Sequence, residues 1–328
     1  MFLAEAASLG ITLDDLIAVA GDSPQAAMDV PTVAEYVEIV SQALGGGTAQ
    51  TYGSYWRLLV ARYGDRPIDG ISHQNCEQVI ADAVARAQRN RPGCNGRSTR
   101  AHCVSAFRAL FNRAAKAGLV VRNPAAALEK PAQATSRRRA LDDTELHELV
   151  ETVQATSLDP ELDLLLVRFH LESGARRQGA IGLRLGDLDT RRSTGWLWEK
   201  FGKEREQPIS PSLLAALAAF ARSRGSTGDD HPVFVNKRGG PLTRKHYNNL
   251  FDRAQAALPW TRRIPATAHV LRHTAGTAVE RVAGHAVAQG FLGHEPNSVT
   301  GLYTKARIEE IAAAVAVLTG EPHPLAQI

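Results

Sequence analysis

Three features are scarce in this sequence, and each scarcity narrows the class of protein. No apolar run approaches the ~20 residues that a membrane-spanning helix needs. The three cysteines, Cys76, Cys94 and Cys103, show no paired spacing, which fits a reduced protein without a disulfide framework. Residues 1–30 contain no lysine or arginine and so lack the basic start of a signal peptide. We therefore expect a cytoplasmic protein.

Basic residues are present in clusters, although the net charge is only +4. They gather at 86–100, 137–139, 191–192 and 262–263, and the sequence pI is about 9.1. This distribution is compatible with binding to nucleic acid, but each cluster is as well explained by a solvated surface. An apolar content of 44% over 328 residues is enough for ordinary globular cores, and the length suggests two domains.

Residues 31–130 carry a helical pattern and predict a small all-helical domain. Pro31-Thr32 opens one run, Ser72 is a good N-cap for another, and Gly118 is a C′ residue after the run that starts at Arg97. Tyr52, Tyr55 and Trp56 recur at helical spacing. We expect these aromatic side chains to belong to the core rather than to stack on bases.

The regions outside this domain differ in composition. Residues 1–30 form a short acidic extension, for which a protein contact and a frayed terminus are both open. Residues 131–140, PAQATSRRRA, lack apolar periodicity and predict a basic interdomain linker, which could cross near DNA phosphates or be a solvated tether. A second domain follows at 141–320, with a tail at 321–328.

The second domain predicts helices with a few short strands. Asp142 to Glu145 is a helix-start signal, and Leu162 to Leu171 is strongly apolar. Short strands are predicted at 196–200, 204–209 and 232–235. Residues 305–318 predict an amphipathic helix, whose apolar stripe suits either a neighbouring protomer or its own.

One stretch, residues 267–305, contains several side chains that could take part in catalysis. His269 and Arg272 are three residues apart, so they share a face of a predicted helix. His294 follows in a Leu-Gly-His sequence, and Tyr303 lies nine residues further on. Cationic and imidazole groups can hold a phosphate, and a tyrosine hydroxyl can attack it.

This stretch resembles the C-terminal signature of the tyrosine recombinases, the phage integrase family. Their pattern is His-x-x-Arg-His, then Leu-Gly-His, then a nucleophilic tyrosine nine residues later, and all three parts are present. The resemblance covers roughly residues 32–318 and is specific only in the second domain. It implies an α+β protein, mainly α with a small β-sheet, of the simple, Xer-like two-domain type. Residues 31–130 would be the helical core-binding domain and 141–320 the catalytic domain.

The resemblance also places two further catalytic residues. The family's first arginine follows an apolar helix and a tight turn, which here gives Arg176, with Arg177 as the competitor. The family's lysine lies on a β-hairpin before a Lys-Glu-Arg segment and a later proline. Lys200 matches that position, with Lys203-Glu204-Arg205 and Pro208 as its flank, and Lys203 is the alternative if the register differs.

The implied reaction is cleavage and rejoining of DNA strands at a specific site. Arg176 and Arg272 would clamp the phosphate, His269 would accept the tyrosine proton, and His294 would hydrogen-bond the scissile phosphate. Tyr303 would become a 3′-phosphotyrosine while a 5′-hydroxyl leaves, so that no ATP, metal or other cofactor is needed. The implied partners are double-stranded DNA and a homotetramer on synapsed DNA, with an accessory protein left open. The outcome would be integration, excision or dimer resolution, and the location cytoplasmic, with the nucleoid.

Other interpretations compete with this one. A type IB-like topoisomerase would use the same tyrosine chemistry without a site preference, and an accessory DNA-binding protein would have a weak or dead site. His269, His273 and His294 could in principle bind a metal, but Arg272 would place a cation beside it. The sequence also departs from the family at Gly179, where many relatives carry an acidic residue, and at Ala175, which replaces a bulky apolar one.

Overall fold

The computed structural model describes residues 30–44, 46–90, 93–132, 139–198, 204–294 and 306–326. Contacts divide the chain into two compact units, residues 1–134 and 135–328. The division falls inside the segment predicted as a linker. The roles assigned to the two units remain predictions, and the acidic extension lies outside the described residues apart from Val30.

The first unit is helical, and its capping side chains explain where the helices begin. Thr32 and Glu35 form a capping box, and Ser72 Oγ accepts from the backbone N of Asn75 at 3.2 Å. Gly118 has φ +74, as expected of a C′ glycine. The helices are α1 (Val33–Ala43), α2 (Gly46–Tyr63), α3 (His73–Asn90) and α4 (Arg97–Lys116).

The core of this unit is built on aromatic side chains of α2 and α4. Trp56, Phe107 and Phe111 are fully buried, and Trp56 Nε1 donates to the Ala106 carbonyl oxygen at 2.8 Å. The prediction that Trp56 belongs to the core is therefore confirmed. Burial also raises the pKa of the Cys76 thiol to about 12, so this cysteine is a packing residue rather than a nucleophile.

The second unit combines helices with one small sheet. Asp142 forms a capping box with Glu145, as the helix-start signal predicts. Arg139 falls in the segment predicted as a linker, but its guanidinium donates two hydrogen bonds of 2.6 Å to the Glu145 carboxylate, so it belongs to this unit. The elements are α5 (Asp143–Thr156), α6 (Pro160–Ser173), α7 (Arg177–Ile181), β1 (Leu188–Asp189), β2 (Thr194–Trp198), β3 (Glu204–Pro208), α8 (Pro211–Ser223), α9 (Arg244–Ala257), α10 (Ala268–Leu292) and α11 (Ile308–Thr319).

The sheet is antiparallel, with the order β1-β2-β3. Strands β2 and β3 form a hairpin in which Thr194 pairs with Pro208 and Trp198 with Glu204. The strand predicted at 232–235 is wrong. Pro232 and Val235 each form a single isolated bridge, while Val233 and Phe234 are buried. The apolar run there marks core packing rather than sheet pairing.

Helix α10 is kinked at Gly284, where φ is +82, and α11 packs against it within the same chain. Ile311, Ala314 and Val315 share a core with Val279 and Phe291. The apolar stripe of α11 thus covers its own protomer here.

The fold class predicted from the sequence, mainly α with a small sheet, is confirmed. In the portions of the chain described above, no helix has the length and apolar character to cross a bilayer.

Trp56→Ala is expected to lower the free energy of unfolding by about 3–5 kcal/mol, because it opens a cavity in the first core. Trp196 offers a matched control, since 41% of its surface is exposed. Trp196→Ala should cost less than ~1 kcal/mol. Urea unfolding followed by far-UV circular dichroism measures both, and equal losses would contradict the burial of Trp56.

Candidate active site

The first turn of α10 presents two of the predicted residues in different environments. Thr267 caps the helix, its hydroxyl accepting from the backbone N of Val270 at 3.2 Å. His269 in this turn is exposed, whereas Arg272 is only 4% exposed. The helix therefore carries one imidazole at the surface and one guanidinium beneath it.

Arg272 joins two segments that are far apart in the chain. Its guanidinium donates to the carbonyl oxygens of Gly174, after α6, and of Leu292, at the end of α10. Within the described portion, no carboxylate forms an ion pair with Arg272. Its positive charge is thus buried among neutral acceptors.

The loop that leads to Arg176 is held at every carbonyl. Residues 173–176 connect α6 to α7, and Gly174 ends α6 with φ +57. Each of these four carbonyl oxygens accepts a hydrogen bond. The donors, in the order of residues 173 to 176, are Arg205 Nη2 (3.3 Å), Arg272 Nη1, His170 Nδ1 (2.9 Å) and the backbone N of Gly179 (2.9 Å).

His170 is the fully buried member of this set. Its Nδ1 donates to Ala175 O, which leaves Nε2 to accept from the Tyr247 hydroxyl at 2.8 Å. Burial lowers the pKa of His170 from 6.5 to about 4, and the nearby Arg272 charge acts in the same direction. His170 is therefore neutral at physiological pH and serves as a fixed hydrogen-bond donor to the loop.

Gly179 occupies the position where the family often has an acidic residue. It is buried, and a Cβ there would meet only Ala175 Cβ at 3.8 Å and Trp198 O at 3.9 Å. No carboxylate can come from this position to support Arg176. Side-chain donors to the loop carbonyls hold the backbone around Arg176 instead.

Positive charge is concentrated where the two segments meet. Burial first, and then the charges of Arg176 and Arg205, lower the pKa of Arg272 to about 9. His294 is exposed at the surface, yet its pKa is lowered, first by partial desolvation of the imidazole and then by the charges of Arg272, Arg176 and Arg205. Three guanidinium groups whose charges act on one another in this way favour the binding of an anion.

Three predicted residues open onto one cavity of about 260 Å³. His269, Arg272 and His294 all line it. His294 lies just beyond Gly293, the C-cap of α10, and its backbone N donates to Gln289 O at 3.0 Å. Arg176 lies close enough for its charge to act on Arg272 and His294, whereas the competitor Arg177 is exposed on α7. The structure thus brings together Arg176, His269, Arg272 and His294.

Lys200 and Tyr303 both lie outside the described residues. Lys200 falls in the connection 199–203 between β2 and β3, as does Lys203, and Tyr303 falls between α10 and α11. Their roles stay predictions.

The metal interpretation finds no support in the part of the chain that is described. No three histidine, cysteine, aspartate or glutamate side chains there are grouped so that they could bind a metal ion. His273 instead contacts Thr277 Oγ1 on its own helix at 3.1 Å.

Arg205, like His170 and Tyr247, is a residue of this site that the sequence does not reveal. It appears in the sequence only as part of the flank of Lys200, yet its guanidinium contacts Ser173 and Phe291 and its charge acts on Arg272 and His294. An arginine on a short strand carries no local signal for such contacts.

Comparison with known proteins identifies the family. Residues 139–310, just over half of the chain, match the phage integrase family. A tyrosine recombinase XerC from Rhodospirillum centenum is 32% identical over 286 residues, which cover 81% of this chain and 80% of that protein. A tyrosine recombinase XerD from Mycobacterium leprae is 29% identical over 285 residues, covering 80% and 89%.

A solved structure shares the fold. A lambda integrase tetramer bound to a Holliday junction superposes with a TM-score of 0.65 at 16% identity, covering 85% of this chain and 78% of that one. The family match and the sequence relatives define a DNA strand-exchange enzyme. The chain belongs to the phage integrase family, whose members are the tyrosine recombinases.

Acidification is expected to destabilise the second unit through His170. The pKa of His170 is about 4 in the fold, whereas an unfolded histidine titrates near 6.5. Between these values the unfolded state binds more protons. The contribution is therefore complete above about pH 6.5 and declines as the pH falls toward 4. Urea unfolding should show a loss of about 2 kcal/mol from this group between pH 7 and pH 5. His170→Asn should reduce that loss, and an undiminished loss would assign it to other groups.

Gly174→Ala is expected to destabilise the protein more than the same change at another glycine that has a positive φ. Gly174 has φ +57, and a Cβ there would lie 2.6 Å from Phe291 Cε1. Gly225 has φ +91 with open space around it. Gly225→Ala should cost about 1 kcal/mol of strain, and Gly174→Ala a further 1–3 kcal/mol or so from overpacking. Equal unfolding midpoints in urea would contradict the close approach of Phe291.

Proposed function

We propose that this chain is a site-specific tyrosine recombinase that cuts and rejoins DNA strands through a 3′-phosphotyrosyl intermediate on Tyr303. One observation carries the proposal. His269, Arg272 and His294 face one cavity, and the charge of Arg176 lies beside it. Family membership supplies the reaction class, and the assignment of roles to individual residues is our inference.

Arg176 and Arg272 would hold the two non-bridging oxygens of the scissile phosphate. Guanidinium groups suit this task because they donate paired hydrogen bonds and keep their charge. Even with its pKa lowered to about 9, Arg272 is protonated at neutral pH. An arriving anion would stabilise its buried charge, because the acceptors of Arg272 in the structure are neutral carbonyl groups.

His294 would act as a neutral hydrogen-bond donor to the phosphate. Its pKa lies below the ordinary value of 6.5 because of partial desolvation and the neighbouring arginines. A neutral imidazole adds no further charge to a site that already holds several cations. It can still donate one N–H, and its backbone position is set by the Gly293 cap.

Tyr303 would attack the phosphorus, and His269 would accept the hydroxyl proton. The bond from the Tyr303 oxygen to phosphorus forms as the bond from phosphorus to the 5′-oxygen breaks. The leaving oxygen needs a proton, and Lys200 is the candidate donor, because the arginines keep their protons and His294 is already neutral. Attack by a 5′-hydroxyl of a partner strand reverses each transfer and restores the phosphodiester, so no ATP is consumed.

The unit of residues 1–134 would form the core-binding domain and residues 135–328 the catalytic domain. We propose double-stranded DNA with a specific site as the substrate and a homotetramer as the working assembly. The lambda integrase tetramer on a Holliday junction, which shares the fold, supports this assembly. With DNA as its substrate, the protein would act in the cytoplasm, at the nucleoid. The biological outcome would be integration, excision or dimer resolution.

Tyr303→Phe is expected to abolish a detergent-stable protein–DNA adduct while leaving DNA binding intact, because it removes only the attacking oxygen. Labelled nicked fragments of the DNA flanking the gene are incubated with protein, quenched in detergent and separated on a gel. Tyr63→Phe is the control, since the Tyr63 hydroxyl contacts Gln78 in the first unit.

Arg272→Lys should slow adduct formation in the same assay by about 100-fold or more, because an ammonium group cannot donate the paired hydrogen bonds of a guanidinium.

Two results would contradict the proposal. An adduct that persists in Tyr303→Phe would assign the nucleophile to another residue. Plasmid relaxation without dependence on any site would indicate a topoisomerase instead.

A further inference from the structure

Arg205 is an arginine of strand β3 to which the proposed reaction assigns no step. The residue as a whole is partly exposed, yet its guanidinium is enclosed enough that burial lowers the pKa to about 9, with the Arg176 charge acting in the same direction. A cation held in this way costs free energy unless its contacts or its charge serve the site.

The contacts of Arg205 link the ends of two helices. Nη1 donates to the Phe291 carbonyl at 2.5 Å, and Nη2 donates to the Ser173 carbonyl at 3.3 Å. Ser173 is the last residue of α6, and Phe291 is the next-to-last residue of α10. A third contact, to Gln207 Oε1, fixes the guanidinium against its own strand.

Arg272 makes the same kind of link one residue further along both segments. Its acceptors are the carbonyls of Gly174 and Leu292. The two guanidinium groups therefore bind two consecutive carbonyls at the end of α6 and two at the end of α10. Arg176 lies two residues after the first pair of carbonyls, and His294 lies two residues after the second pair.

The fit around Arg205 is close. A Cβ on Gly293 would lie 2.6 Å from Arg205 Cδ and 2.9 Å from its Nε. The backbone just before His294 thus rests directly on the Arg205 side chain. Displacement of Arg205 would free the end of α10 to move, and His294 with it.

We propose that Arg205 is a positioning residue that fastens the end of α6 to the end of α10 and so sets the relative placement of Arg176 and His294. This inference rests on the proposed function, because Arg176 and His294 are the groups proposed there to hold the phosphate. Arg205 also adds a positive charge beside His294 and helps to keep that imidazole neutral.

The test compares Arg205→Gln, which removes the charge and the fork, with Arg205→Lys, which keeps the charge alone. Arg192→Gln is the matched control. Arg192 lies at the surface and pairs with Glu206, which is on β3, the strand that carries Arg205. In single-turnover assays on nicked DNA, Arg205→Gln should form adduct about 100-fold more slowly at saturating DNA, with affinity changed less than about threefold. Arg205→Lys should be intermediate and Arg192→Gln unchanged.

A second measurement needs neither DNA nor activity. The imidazole of His294, identified by its loss in His294→Gln, is titrated by NMR. The pKa of His294 should rise toward 6.5 in Arg205→Gln and stay near the wild-type value in Arg205→Lys and Arg192→Gln. An unchanged His294 pKa in Arg205→Gln would contradict the placement of the Arg205 charge beside His294.

The kinetic outcomes separate the two proposals. A wild-type rate in Arg205→Gln would overturn the positioning role. A loss confined to DNA affinity would make Arg205 a DNA contact, and equal losses in Arg192→Gln would make it a general support of the sheet. If wild-type protein forms no adduct at all, the proposed function fails, while the His294 titration still decides the role of Arg205.

Discussion

The candidate active site depends on a buried guanidinium that binds the ends of two helices. The Arg272 side chain extends from α10 and donates hydrogen bonds to the Gly174 and Leu292 carbonyls. The segments that carry Arg176 and His294 therefore share one donor. Each carbonyl at a helix end lacks a partner within its helix and needs an external donor. Arg272 supplies that donor and places its own charge between the two segments at the same time.

In this arrangement one side chain, Arg272, both supports the backbone and carries a charge that we propose binds the phosphate. Arg272 holds its backbone acceptors in the structure without DNA, so this part of the site is formed before a phosphate arrives. Preorganised cations of this kind stabilise a developing negative charge without a reorganisation cost at the moment of reaction. The pKa values of Arg272 and His294 are lowered first by desolvation and then by the neighbouring positive charges, and a bound anion would counteract both effects.

The support of the Arg176 loop shows how a missing side chain is offset by other contacts. Gly179 brings no carboxylate, and the loop instead has a donor on each carbonyl, including His170, which Tyr247 keeps oriented. Packing adds to this, because Phe291 closes against Gly174 and belongs to the core that α10 shares with α11. The C-terminal helix is in this way connected to the geometry of the site.

The sequence by itself determined the helical first unit, the hairpin, the capped starts of helices and the family signature, because these depend on neighbours a few residues apart. His269 and Arg272 share a turn, and Thr32 or Asp142 caps the helix beside it. Only the tertiary structure decided that Arg272 is buried while His269 is exposed, that α11 packs on its own chain, and that 232–235 is core rather than strand. It alone revealed Arg205, whose acceptor Phe291 is 86 residues away in the chain. Contacts of that range arise from the packing of α6, α10 and β3 together, and no local spacing encodes them.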